Sequence, residues 1–402
     1  MDWEYVSRVV GILLDRQMYM AIRPSDRNNS SFTASVHNAL IGLRNVDTML
    51  EFHGDVNYKR NRDLALVLNE CSTFGSTDPR EKVFALLGLT TDKSKNLIKS
   101  NYDKEHAVKQ VYTDTMLFIL AKGDNPISDL EKAGIGTERS IRDLPSWVPD
   151  WSLTTPNRMS AKPFTSGTRY GAKINLDLST DLKIALDGLQ FDQIEILGSV
   201  HAIDNSLSMA ESTSYTELWL AEAEALATAQ IRDMYYNGES FLEAFIRTML
   251  GNCATDKLER CPSTEQCHGG YEALKKFFAA VARMSIMEPL LDPAIPNYVL
   301  PEGFLEQPRD TMEKANRFLY FFEVATSLRR FCITEQGRMA IMPPRSLPGD
   351  VICIFKGAHT PFVLRQVSSE EPSVYNLVGC CYVHGVMDGE VDIQEPQTFV
   401  LV

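Results

Sequence analysis

From Arg330 onward the chain is a succession of short apolar runs separated by turn chemistry, and that pattern leaves few folds open. Two short apolar runs flank Glu335-Gln336-Gly337, a compact turn signal. Leu347-Pro348-Gly349-Asp350 follows, with Pro and Gly at the second and third positions that a type II turn requires. Runs at Val351–Phe355, Pro361–Arg365 and Tyr375–Val383 then lead into His384-Gly385-Val386-Met387-Asp388-Gly389-Glu390. Strand-length runs at this spacing predict a small closed or nearly closed antiparallel sheet.

Two more alternating segments, Leu182–Leu189 and Gln193–Val200, lie far upstream and read as two strands. What separates them from the C-terminal strands is helical. Glu217–Met234 is rich in Ala, Glu and Leu, and Ser240-Phe241-Leu242-Glu243 and Asp310-Thr311-Met312-Glu313 read as capping boxes. Asn252–Gly270 reads as a polar loop between them. The simplest arrangement is one β-module built from 144–212 and 331–402, split by a helical insertion over 213–330.

The N-terminal part, 1–125, is expected to be helical. Val6, Val9, Val10, Leu13, Leu14, Met18 and Ile22 form one apolar face, and Arg23–Ser35 reads as an exposed loop. Helices are expected around Val36–Leu50, Lys59–Phe74 and 104–121. In Thr77–Leu89, Asp78 is placed to cap a helix, Pro79 to open it, Glu81 to complete a capping box and Gly88 to supply a left-handed end. Leu144–Ser152 carries two prolines that exclude a regular helix, and its Trp147 and Trp151 are expected to pack against neighbours. The fold class is therefore α+β: helices first, then a small antiparallel β-barrel-like module.

A chain of 402 residues is longer than one core usually organises. Its net charge of -13 and its lack of a Lys/Arg block argue against a nucleic-acid partner. Its apolar runs fall far short of the roughly 20 residues that span a bilayer. Asp2, Glu4 and Arg8 interrupt the start, so no signal peptide is read. Eight cysteines are too dilute for a disulfide scaffold, which suits a reducing, cytoplasmic setting.

Three signatures in order, Thr77–Leu89, Leu144–Ser152 and Pro348–Glu390, resemble fungal heterokaryon incompatibility (HET-domain) proteins. The resemblance covers roughly residues 60 to 402 and implies a link to non-self recognition and programmed cell death, with a protein partner or a HET domain as the binding partner. Proteins of that family usually begin with a HET domain, related to TIR domains and marked by an aromatic-rich "LSY-WG" stretch and a "W-IDA-CI-Q" stretch. Neither occurs here, which reads as a fragment or a shortened chain, and no catalytic residue is carried over.

Two clusters offer chemistry. Cys253, Cys261, Cys267 and His268 are zinc-ligand types, but their spacing lacks a two-to-four-residue knuckle, and a solvated loop with incidental thiols is the simpler reading. His384, Asp388 and Glu390 share a glycine-containing loop, where an acid–base pair would suit a hydrolase or nucleotide-processing enzyme. A tight turn with exposed acids explains the same residues. No phosphate loop, nucleophile elbow or HExxH motif accompanies them, so the preferred reading is a non-catalytic regulatory or interaction module with no cofactor.

Overall fold

One strand, Lys183–Val200, carries the architecture of the computed structural model. The structure describes residues 41–43, 45–50, 52, 62–90, 97–103, 107–122, 126–153, 164–171, 174–177, 182–202, 207, 209–231, 234–253, 260, 262–287, 309–368 and 373–402. The expected helix over 1–22 and the loop Arg23–Ser35 lie outside them. The chain divides into two compact units. One comprises Met1–Ala133, Glu138–Pro156 and Asn205–Ser208; the other comprises Gly134–Thr137, Asn157–Asp204 and Met209–Val402.

The first unit is helical where described. Helix α1 is Leu64–Glu70, α2 is Glu81–Phe84 and α3 is Val108–Lys122, with 3-10 turns at Leu87–Leu89 and Pro126–Lys132. Asp63 caps α1 by accepting from Leu66 N at 2.8 Å, satisfying one of the free amides of the first turn. The helix start expected at Asp78 and Pro79 falls later: α2 opens at Glu81, after Arg80, with no side-chain cap. Asp78 accepts from Arg80 N at 2.9 Å and pairs with its guanidinium, shaping the turn ahead of the helix. Glu81 accepts from the Tyr102 hydroxyl at 2.6 Å. Gly88 differs from expectation: it sits inside the 3-10 turn rather than in a left-handed cap, because the chain tightens at Leu87 instead of reversing. Trp147 is fully buried and Trp151 meets the Tyr112 ring edge-on at 5.2 Å.

Among its described residues the second unit holds nine strands: β1 Ile174–Asp177, β2 Lys183–Val200, β3 Arg330–Thr334, β4 Met339–Met342, β5 Val351–Phe355, β6 Phe362–Ser368, β7 Val374–Cys380, β8 Tyr382–Val383 and β9 Gln397–Leu401. The order β5-β6-β7-β9-β2 closes on itself because β2 also pairs with β5, making a five-stranded barrel. From β2 the sheet continues through β3 and β4 to β8.

The two alternating segments expected as separate strands are one. Strand β2 pairs with β9 over Ile184–Gly188, with β5 over Gly188–Gln193 and with β3 over Ile194–Val200. Register shifts at Gln190/Asp192 and Ile194/Ile196 bend it from the barrel into the extension. Gly188 lies at the crossing, where a Cβ would stand 2.7 Å from the Ile354 carbonyl. At the bend the buried Asp192 carboxylate accepts from Thr334 Oγ1 at 2.6 Å.

Between β2 and β3 come helices α4 Met209–Gln230, α5 Phe241–Met249, α6 Thr264–Met287 and α7 Arg309–Thr326, so the barrel is split by a helical insertion as the sequence implied. Ser240 caps α5, accepting from Glu243 N at 3.2 Å. The polar loop expected over Asn252–Gly270 is cut short, since α6 begins at Thr264. Ser263 and Gln266 explain it: Gln266 N donates to Ser263 Oγ at 3.2 Å and Ser263 N to Gln266 Oε1 at 2.9 Å, a reciprocal capping box.

Both predicted turns form as drawn. Gly349 takes φ 87° with Asp350 N bonded to Leu347 O at 3.1 Å, and Gly337 takes φ 73° with its N bonded to Thr334 O at 2.8 Å. The core gathers Ile194, Cys332, Met342, Ile352, Val363 and Val378. A segment not read from the sequence, Gly134-Ile135-Gly136, lies along β7, its amides bonded to Leu377 O and Val378 O at 2.9 and 2.8 Å. Among the described residues no helix is long and apolar enough to cross a membrane.

Candidate functional site

The loop that follows β8 is fixed before it can be chemical. His384 N donates to Met339 O at 3.0 Å, and the His384 carbonyl accepts from the Tyr236 hydroxyl at 3.0 Å. Gly385 then turns with φ 80°, where a Cβ would overlap the Tyr236 hydroxyl, so only glycine suits the position.

The His384 ring is buried with both nitrogens bonded. Nε2 lies 2.5 Å from Glu239 Oε2 and Nδ1 lies 2.9 Å from the Tyr382 hydroxyl. The hydrogen bond from His384 holds the Glu239 carboxyl down at about 2, so at neutral pH it is an ionised acceptor. Nε2 must then carry the proton in this bond, leaving Nδ1 to accept from Tyr382 when the ring is neutral.

Glu239 leads onward into the helices. Arg247 Nε stands 3.4 Å from Glu239 Oε1, and its guanidinium bonds Glu243 at 2.7 Å and Asn252 Oδ1 at 3.0 Å. Glu243 also accepts from Thr264 Oγ1 at 2.7 Å; that bond and the one from Arg247 lower its pKa. His384, Glu239, Arg247 and Glu243 therefore form one charged chain from the barrel loop to the starts of α5 and α6. Low dielectric strengthens each link and makes each unpaired member costly.

The other two loop acids go elsewhere. Asp388 pairs with Arg260, which stacks over the Phe164 ring at 4.6 Å and donates to Gly251 O at 3.0 Å. Glu390 is exposed and accepts from Asp388 N at 2.7 Å, bracing the turn. The structure thus does not bring His384, Asp388 and Glu390 to one point. The imidazole is instead bonded on both sides, to Glu239 and to the Tyr382 hydroxyl.

Of the thiol cluster, Cys261 lies outside the described residues. Cys253 and Cys267 are buried, and burial pushes the Cys267 thiol up to about 11. Cys267 and His268 are on helix α6, and among the described residues no group of three His, Cys, Asp or Glu is placed to hold a metal ion.

Sequence reasoning missed Glu239 and the surface beside it. Arg338 stacks on Tyr236 at 4.0 Å and on Phe191 at 4.5 Å, with Asp192 3.6 Å from its Nε. Tyr236 is 50 % exposed and Met234 61 % exposed. The available signal was Tyr235-Tyr236-Asn237-Gly238, a turn dipeptide after two aromatics, where Gly238 takes φ 88°.

Residues 306–402, which hold β3 to β9 and this loop, match the Het-6 beta-barrel domain. In this the chain is similar to fungal heterokaryon incompatibility proteins. The chain is 25% identical over 358 residues to heterokaryon incompatibility protein 6, OR allele, of Neurospora crassa. That similarity covers 81% of this chain and 51% of the relative, so the chain spans about half the length of the curated relative it matches. No solved structure matches it.

Proposed function

We propose that this chain is a non-catalytic interaction module of a heterokaryon-incompatibility-type protein, acting in the cytoplasm in fungal non-self recognition and programmed cell death. The observation that carries the reading is the surface at Met234 and Tyr236, backed by the stacked Arg338. Tyr, Arg and Met are enriched where protein partners bind, and a half-exposed ring held by a rigid barrel loses little entropy on docking. The His384–Glu239 chain supports the same reading, since it fixes the backbone under Tyr236. The partner is a protein, with a HET domain the first candidate. A relative named for heterokaryon incompatibility is consistent with that role.

The test has two arms. Binding of a separately expressed HET domain to the full chain, measured by calorimetry, is expected to weaken at least about tenfold in Tyr236→Ala. The purified chain is expected to leave NAD unconsumed and its expression alone to leave cells viable. Robust NAD loss, or binding indifferent to Tyr236, would overturn the proposal.

A further inference from the structure

The helical insertion contains a cavity of about 140 Å³ that the reading above does not use. Its walls are the buried Leu250, Phe318 and Phe321, and its mouth carries the exposed Lys314 and Arg317. Two adjacent glycines of α6 face this region for different reasons. Gly270 is a packing requirement, because a Cβ there would meet Phe318 Cδ2 at 2.8 Å. Gly269 is not: no atom stands within 4 Å of where its Cβ would be, yet it lines the cavity. Glycine inside a helix weakens it, and at this lining position no packing contact accounts for it.

The charges at the mouth differ in kind. Lys314 is paired with Asp310 at 2.8 Å, whereas Arg317 has no hydrogen-bond or ion-pair partner among the described residues. One unpaired guanidinium suits one carboxylate, which it can grip with two parallel hydrogen bonds. Glu265 on the same rim disfavours a second negative charge. We propose that this cavity binds a small monocarboxylic acid whose apolar body, about the size of a benzene ring, lies against Phe318 and Phe321 while its carboxylate meets Arg317.

The test titrates the full chain with sodium benzoate and, separately, with benzene, following both by calorimetry and NMR. Saturable one-site benzoate binding is expected, weakened about tenfold in Arg317→Gln with benzene binding unchanged. Gly269→Val, a bulkier side chain at a lining position, is expected to weaken binding of both. Arg317 is on the surface, so its variant keeps the test decisive where Gly269→Val fails to fold. Absence of saturable benzoate binding, or benzoate binding indifferent to Arg317→Gln, would overturn the proposal.

Discussion

His384 Nε2 sits 2.5 Å from Glu239 Oε2, fastening the loop at the end of the barrel to the residue just ahead of helix α5. The imidazole is 3 % exposed and the carboxylate 27 %, so removing either leaves the other largely out of water without its partner. Glu239→Ala is expected to lower stability by about 2 kcal/mol, read as a shift in urea midpoint. Glu390→Ala, on the exposed side of the same loop, is expected to stay within about 0.5 kcal/mol.

The same pair sets an acid limit. Glu239 titrates at about 2 in the fold against an ordinary 4.5, so the unfolded chain takes up this proton at higher pH than the folded one. Its contribution is therefore present above about pH 5 and is lost as pH falls toward 2. Urea midpoints measured from pH 6 to pH 3 are expected to fall less steeply in Glu239→Gln than in the natural chain.

In the first unit the sign reverses. Burial, with Asp63 adding repulsion, raises Asp129 to about 7, and burial with Asp129 raises Glu131 to about 8. The folded unit then holds protons that the unfolded chain has released, so this contribution is lost as pH rises from about 4 through 8. Asp129→Asn with Glu131→Gln is expected to flatten that fall, visible in hydrogen exchange of α3 compared at pH 5.5 and pH 8.

Gly385→Ala forces a side chain into φ 80° and against the Tyr236 hydroxyl. The backbone alone costs about 1 kcal/mol, and the overlap adds to it. Tyr236→Phe in the same chain is expected to recover part of the loss by removing the overlapping oxygen. A cycle in which the two changes simply add would contradict this packing.

Ser263→Ala removes the oxygen that accepts from Gln266 N. The expected loss is about 1 kcal/mol, with earlier exchange of the first amides of α6. Ser263→Asp, which keeps an acceptor, is expected to retain most of the stability.

Turns and caps were legible because they are local. Gly337 and Gly349 adopt the positive φ that Glu-Gln-Gly and Pro-Gly-Asp announce, and Ser240 caps α5. Glu243, however, turns to Arg247 and Thr264 instead of completing the box, and Asp310 lies inside α7 rather than capping it. The Ser263 capping box was equally legible and had been hidden inside a stretch that reads as polar. The loop His384–Glu390 could be placed as a turn, but its side chains were grouped by proximity in sequence, whereas they separate in space.

The amino-acid sequence by itself determined the strand runs, their turns and the helical block that divides them, since each depends on residues within a few positions. Only the tertiary structure decided that two alternating segments are a single bent strand, that Gln397–Leu401 joins the barrel beside it and that Ile135 lies along β7. It also decided that His384 meets Glu239, 145 residues away, and not Asp388, four residues away. The reason is physical: local propensity fixes φ and ψ, but a buried charge takes whichever partner chain closure brings within hydrogen-bond reach.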